Sequence, residues 1–507
     1  MAANGDILSM NGLETKKPVV SIKDLQVKFK SDGETVIAVN KISFNVHAGE
    51  TVCLVGESGS GKSVTSLSLM RLVEFGGGEI TNGSLVLERN NKQAKNLVEA
   101  DASTMRSIRG NEVGMIFQEP MTSLNPVFTI ERQLTDGLRL HTNLSGRETR
   151  EKALQLLKEV RIPDPEKRLR QYPHELSGGM RQRVVIAMAM ACRPRLLIAD
   201  EPTTALDVTI QAEILALINR LKYETGMAVL FITHDMAVVA QMADRVVVMY
   251  RGDMIEEAPV GQIFSEPKED YTKALLAAVP QLGEMAGTSE PRPLDIPGHE
   301  TLQKNQTKNL TARQETVLEV QNLITRFPVY GGVFRRKVAN VHAVENVSFS
   351  IKKGQTMALV GESGCGKSTC GRSILRLVEP ESGKILLNNQ NILALNSHEL
   401  RKTRRDMQMI FQDPFASLNP YMTLRDQIAE PLKNFGLVSK SEMEDIICDM
   451  LRKVELPLGF LKRFPHELSG GQRQRVAIAR AIVVNPSLVV ADEAVSALDV
   501  SVQAQVL

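Results

Sequence analysis

Two stretches of the chain read ETVCLVGESGSGKS (Glu50–Ser63) and QTMALVGESGCGKS (Gln355–Ser368), and together they decide the fold. Each opens with a short apolar run of the length and composition of a buried strand. Each then turns through glycine, four further residues and Gly-Lys-Ser, the pattern of a phosphate-binding loop. Glycines let the backbone fold tightly enough to aim successive N–H groups at phosphate oxygens. The helical pattern that follows adds its positive N-terminal end. Lys62 and Lys367 are placed to reach β- and γ-phosphates, and Ser63 and Ser368 to hold Mg2+. One such match can arise by chance in any glycine-rich loop. Two, each directly after an apolar strand, do not.

The rest of the chain repeats with them. MIFQEPMTSLNP from Met115 returns as MIFQDPFASLNP from Met409, PHELSGGMRQR from Pro173 as PHELSGGQRQR from Pro465, and IADEPTTALDV from Ile198 as VADEAVSALDV from Val490. The order is the same in both copies, and Ser177 to Glu201 and Ser469 to Glu493 are both 24 residues apart. This is a duplicated domain. The copies differ in that Lys62 to Gln118 spans 56 residues and Lys367 to Gln412 spans 45. The polar stretch from Arg89 to Thr104 is expected to hold the extra 11 as a longer surface loop. Copy two also stops 8 residues after Asp499, so it is expected to be C-terminally incomplete. Gly283–Thr316, polar and carrying proline and glycine, reads as a linker. The expected division is an extension over 1–18, a first domain over 19–282, a linker over 283–316 and a second domain over 317–507. RLLIAD, SLVVAD and MAVLFIT are further runs of strand length among helical patterns, which predicts an α/β fold with a mostly parallel sheet. Residues 119–194 read as a helical subdomain.

Composition removes several function classes. Lys and Arg number 61 against 59 Asp and Glu, a formal charge of +2, so no basic field marks a nucleic-acid partner. With 15 Phe, 6 Tyr and no Trp, a base-stacking surface is poorly supplied. Cys53, Cys192, Cys365, Cys370 and Cys448 contain no C-x-x-C pair, which suits a reducing compartment and argues against structural zinc or a disulfide framework. No apolar stretch approaches the roughly 20 residues that span a bilayer, and the N-terminus lacks a signal peptide's apolar core.

Several residues carry chemistry on their own pattern. Asp200 and Asp492 end apolar runs and are each followed by glutamate. An acid there can orient Mg2+ through water, and Glu201 or Glu493 can polarise an attacking water; a helix N-cap acid is the plainer alternative. Ser177 and Ser469 each precede two glycines and a helix-forming run, a second anion-binding surface per domain. A domain already holding a triphosphate has no need of another, so this surface is expected to cap a nucleotide bound by a partner domain. His234 follows VLFIT, where a lone histidine is more often structural. Phe29 and Phe327 are candidates for stacking on adenine, or simply core.

Taken in order, the phosphate loop, the glutamine, LSGG, D-E and S/T-A-L-D resemble the ABC-type ATPases, with two tandem nucleotide-binding domains of the P-loop NTPase class in one polypeptide. The resemblance implies ATP and Mg2+ as ligands and a head-to-tail pair of domains. By that likeness site one combines Gly56, Glu57, Ser58, Gly59, Ser60, Gly61, Lys62, Ser63, Gln118, Asp200, Glu201 and His234 with Ser469, Gly470 and Gly471. Site two combines Gly361, Glu362, Ser363, Gly364, Cys365, Gly366, Lys367, Ser368, Gln412, Asp492 and Glu493 with Ser177, Gly178 and Gly179. Glu201, Glu493 and His234 are the implied catalytic residues. Ser63, Gln118 and Asp200, and Ser368, Gln412 and Asp492, are the implied Mg2+ ligands. Asp207 and Asp499 match the family's D-loop. The runs FQEPMTSLNP, ALDVTIQAEIL and DYTKALLAAVPQL (Asp270–Leu282) resemble the ATPases of peptide, opine and nickel importers, and the fusion resembles those serving glutathione import. Two transmembrane permeases, a periplasmic binding protein and the cytoplasmic face of a bacterial inner membrane are implied, with no nucleic acid. A di- or oligopeptide or nickel importer is the near alternative. A soluble tandem ATPase acting on ribosomes is the distant one, since its long charged helical linker is not matched by 34 residues containing Pro291, Pro293 and Pro297.

Overall fold

The computed structural model describes residues 17–31, 34–89, 93–118, 123–203, 206–277, 315–331, 336–413 and 417–494, with 279 and 503 singly. Contacts divide the chain into two compact units, one up to His299 and one from Glu300 to Leu498. The N-terminal extension to residue 16 and nearly all of the expected linker lie outside the described residues.

The first unit runs β1 (Val20–Ser31), β2 (Glu34–Val46), β3 (Thr51–Val55), α1 (Lys62–Leu69), β4 (Gly78–Leu87), β5 (Lys95–Asn96), α2 (Ala102–Ile108) and β6 (Val113–Ile116). It continues through α3 (Ile130–His141), α4 (Gly146–Glu159), α5 (Pro165–Leu169), α6 (Gly178–Ala189), β7 (Leu196–Asp200), α7 (Val208–Thr225) and β8 (Ala228–Ile232). It closes with α8 (Met236–Met242), β9 (Arg245–Tyr250), β10 (Asp253–Pro259), α9 (Val260–Ser265) and α10 (Asp270–Ala277). An antiparallel sheet in the order β2-β1-β4-β5 packs on a six-stranded sheet in the order β10-β9-β3-β8-β7-β6, parallel except for β10.

Strand periodicity splits the core in two. Cys53 and Val55, Leu197 and Ala199, Val229 and Phe231, and Val246 and Val248 face the helices. Their alternates Val52 and Leu54, Leu196 and Ile198, Leu230 and Ile232, and Val247 and Met249 face the antiparallel sheet. A parallel sheet covered on both faces needs such unbroken apolar strands, and β3, β7 and β8 are buried at every position. Helices α3 to α6 form the expected helical subdomain. Thr129, Ser145 and Ser177 set three of its helix starts by accepting backbone N–H bonds, and Ser145 closes a capping box with Glu148. A buried ion pair ties the sheets together: Arg245 on β9 reaches both oxygens of Glu50, at 2.9 and 3.3 Å, and the carbonyl of Asn45 on β2.

The second unit has β11 (Thr316–Gly331), β12 (Arg336–Lys352), α11 (Lys367–Ile374), β13 (Ser382–Leu387), β14 (Gln390–Asn391), α12 (Ser397–Thr403) and β15 (Met407–Ile410). It then has α13 (Leu424–Phe435), α14 (Lys440–Lys453), α15 (Gly470–Ile482) and β16 (Leu488–Ala491). Its antiparallel sheet, β12-β11-β13-β14, and its helical subdomain repeat those of the first unit.

Two expectations are corrected. The run Gln355–Val360, read as a strand, forms none. In the first unit the equivalent β3 is held between β8 and β9, and no such neighbours flank Gln355–Val360 among the described residues. A strand without ladder partners leaves its backbone groups to water, and Val360 is 92% exposed. Among the described residues the parallel sheet of this unit consists of β15 and β16. The second correction concerns the 11 extra residues of copy one. Leu87 pairs with Lys95, and Leu387 with Gln390. Lys62 to Leu87 is 25 residues against 20 from Lys367 to Leu387, and Leu87 to Lys95 is 8 against 3. Pairing of β4 with β1, which runs out to Phe29 opposite Gly78, takes up residues that the polar stretch alone was expected to hold.

Candidate functional site

The ladder brings three strand ends to one edge. Leu54 pairs with Ile232 and Asp200 also pairs with Ile232, so the loop after β3, the acid ending β7 and the residues after β8 emerge side by side. Ligands in parallel α/β sheets gather at this carboxyl edge.

The phosphate loop is shaped by what its glycines allow. Gly61 has φ +96°, and a Cβ there would stand 2.5 Å from the carbonyl oxygen of Ala38. Gly366 repeats this with φ +100° and 2.0 Å to the carbonyl of Ala343. Inside the loop, the Lys62 ammonium donates to the carbonyls of Gly56 and Glu57 at 2.6 and 2.8 Å. Lys367 donates to Gly361 and Glu362 at 2.7 and 2.8 Å. Ser58, Gly59, Ser363 and Gly364 lie exposed at the loop tips, while Ser60 is buried where copy two has the exposed Cys365.

The acids converge on these loops. The Ser63 hydroxyl donates to Asp200 at 3.1 Å, and that of Ser368 to Asp492 at 2.7 Å. Gln118 donates its amide to Glu201 at 3.0 Å, and Gln412 to Glu493 at 2.7 Å. His234 Nδ1 lies 3.2 Å from the other oxygen of Glu201. Burial, reinforced by the charge of Glu201, pushes the Asp200 carboxyl up to about 6 against the opposing pull of Ser63, Lys62 and Ser66. Glu201 and Glu493 both hold the left-handed backbone region, at φ +46° and +47°. That conformation costs a non-glycine residue about 1–2 kcal/mol and is the kind of strain that gathers at functional sites.

Hydroxyl, carboxylate and amide oxygens are the hard donors that suit Mg2+. Among the described residues no cluster of three or more His, Cys, Asp or Glu could hold a metal alone. A partial set of that kind fits an ion that shares its shell with phosphate oxygens. Asp492 Oδ2 points the same way: it is buried without a hydrogen-bond donor, with only the Arg372 guanidinium 3.7 Å off.

The signature serines are helix caps. Ser177 accepts from the Met180 amide at 3.4 Å and Ser469 from the Gln472 amide at 3.3 Å. Gln472 also accepts from the Ser469 amide, a bond that Met180 has no oxygen to make. A Cβ at Gly178 or Gly470 would meet nothing within 4 Å, so both helix starts are open; Gly179 instead packs on Ile210. Gly471 follows in the first turn of α15. Asp207 caps α7 through the Ile210 amide at 2.9 Å, whereas Asp499 lies outside the described residues. Phe29 packs in the core against Gly78, while Phe327 is 40% exposed.

Two neighbours of the acids escaped the sequence reading. Ser66, one turn along α1 from Lys62, donates to Asp200 at 3.5 Å. Copy two has Gly371 at that place and brings Arg372 to Asp492 instead. Helical spacing from the loop lysine was the signal available for both.

Two nucleotide-type loops, each with its acid, glutamate and glutamine at one sheet edge or strand end, define an ATP-binding cassette. The ABC transporter family profile matches residues 39–204 and 344–496, and the chain belongs to that family of ATP-hydrolysing proteins. It is 52% identical over 492 residues to the glutathione import ATP-binding protein GsiA of Escherichia coli, covering 96% of this chain and 79% of that one. Its likeness to the protein of the same name from Pectobacterium atrosepticum is 52% over 500 residues, covering 97% and 80%. Among solved structures, a dimeric ATP-binding cassette in a post-hydrolysis state with ADP and Pi matches at 29% identity and a TM-score of 0.43, covering 48% of this chain and 98% of that one. No helix among the described residues is long and apolar enough to cross a membrane.

Proposed function

We propose that the chain is the ATP-hydrolysing subunit of a bacterial inner-membrane importer for glutathione, seated on the cytoplasmic face. The observation that carries the substrate is the 52% identity to glutathione import ATP-binding proteins along 96% of the chain, both copies included. Its partners in this reading are two transmembrane permeases and, through them, a periplasmic binding protein.

Loop amides and Lys62 would bind the triphosphate, and Ser63 and Asp200, with Gln118, would hold Mg2+. When bound, that ion would offset the charge that builds during phosphoryl transfer. Glu201 accepts the proton of the attacking water, with Gln118 and His234 holding its two oxygens in place. Lys367, Ser368, Asp492, Gln412 and Glu493 take the same roles in copy two. The open helix starts after Ser177 and Ser469 offer backbone N–H groups to an anion such as phosphate. Gln118 and Gln412 pass nucleotide state to the permeases.

Uptake of labelled glutathione and of a labelled dipeptide, in source cells with and without this gene, tests the reading. Loss of glutathione uptake alone supports it. Loss of dipeptide uptake alone keeps the importer and replaces its substrate. If neither changes, the importer reading falls and the ribosome-associated alternative returns.

A further inference from the structure

The tail Asp270–Leu282 has no part in the site above, yet its helix reaches the phosphate loop. The Glu57 amide, the second residue of that loop, donates to the Tyr271 hydroxyl at 3.3 Å. The Tyr271 ring lies against Tyr250, with centroids 4.4 Å apart. Tyr250 ends β9 next to Met249, whose carbonyl oxygen would stand 2.1 Å from a Cβ on Gly56. The first turn of the loop is therefore bounded by β9 on one side and fastened by Tyr271 on another. The helix is itself anchored: the buried Glu256 on β10 accepts from the Lys268 and Glu269 amides at 2.9 and 3.2 Å, just before α10. Glu57 also supplies one of the carbonyls that hold the Lys62 ammonium.

We propose that Tyr271 is a positioning residue for ATP site one, its hydroxyl holding the loop in the shape that receives phosphate. The inference rests on the ATP reading of that loop and deepens it. The peptide plane between Glu57 and Gly56 is fixed by the Tyr271 bond on its N–H side and by the Lys62 bond on its C=O side. Losing the hydroxyl frees that plane to turn, and part of the binding energy of phosphate is then spent on reordering it.

The test uses the full chain carrying Lys367→Ala, which silences the second loop, titrated with a ribose-labelled fluorescent ATP in the presence of Mg2+. Tyr271→Phe removes one oxygen and keeps the ring on Tyr250. A hydrogen bond of this kind corresponds to about a 2- to 10-fold weakening of nucleotide affinity. A dissociation constant changed by less than about twofold overturns the proposal, whatever happens to the melting temperature. Lys62→Ala in the same background is the control. If it also leaves affinity intact, the phosphate-loop reading itself has failed, a result distinct from failure of the Tyr271 role alone.

Discussion

Glu201→Gln exchanges one carboxylate oxygen for an amide nitrogen and leaves shape and volume unchanged. In the wild-type chain one oxygen of Glu201 accepts from Gln118 at 3.0 Å and the other faces His234 Nδ1 at 3.2 Å. A glutamine can keep both contacts, with its oxygen toward Gln118 and its NH2 toward an unprotonated Nδ1. The left-handed backbone at φ +46° is as strained for glutamine as for glutamate. The folding cost should therefore stay below about 1 kcal/mol. Catalysis is another matter, because an amide cannot take the proton of the attacking water. Loss of a general base removes about 10²- to 10⁴-fold in rate, or roughly 3–5 kcal/mol on the barrier. The assay is single-turnover hydrolysis of radiolabelled ATP by the full chain bearing Lys367→Ala, with nucleotide affinity and melting temperature measured on the same preparation. Affinity and melting temperature should hold while hydrolysis collapses. Hydrolysis at the parent rate would refute the assignment of Glu201 as base, and a collapse of affinity would show its role to be structural.

The other expectations are briefer. Gly61→Ala places a methyl group 2.5 Å from the Ala38 carbonyl at φ +96°, which should cost about 2–5 kcal/mol and abolish nucleotide binding at site one; a stable variant that binds ATP normally counts against the loop geometry. Glu50 is 5% exposed. Burial raises its carboxyl, but the bonds and charge of Arg245 and the bonds from His47 outweigh this and hold it below the usual range. Its contribution to stability is thus present above the ordinary carboxylate value of 4.5 and lost as pH falls through the lower folded value. Glu50→Gln should cost about 2–4 kcal/mol at neutral pH and flatten that part of the acid limb in urea melts; an unchanged limb sinks the idea. Met180→Gln supplies the side-chain acceptor that Gln472 provides in copy two and should raise helix stability by about 0.5–1 kcal/mol, read as a small upward shift of the melting temperature. A fall would show that Met180 packs better than glutamine can bond.

Duplication, loops and acids were legible because each is a local pattern. The spacing of glycine, lysine and serine defines the turn wherever it occurs, and the repeat of 24 residues from Ser177 to Glu201 and from Ser469 to Glu493 is a count. Strand pairing was less legible. QTMALV has the composition of β3 but no neighbours to bond among the described residues, and propensity without a ladder produced no strand. The insertion in copy one was misplaced for a related reason: polarity marks residues that can be exposed, whereas register decides which of them the sheet takes up.

What the sequence by itself determined is the chemistry: two phosphate loops, their acids and glutamines, and membership of a cassette family. These depend on residue types at fixed short separations, which the chain carries whatever it packs against. What only the tertiary structure decided is contact across long separations. Gln118 meets Glu201 and Tyr271 meets Glu57 because strand ends and a distant helix share the carboxyl edge of a sheet, and Arg245 meets Glu50 at the opposite edge, where β9 and β3 begin. The left-handed turn at both glutamates belongs to the same class. At the end of β7 the Glu201 amide donates to the Ile232 carbonyl, and at the end of β16 the Asp492 amide donates to that of Ile410, both tens of residues away in the chain.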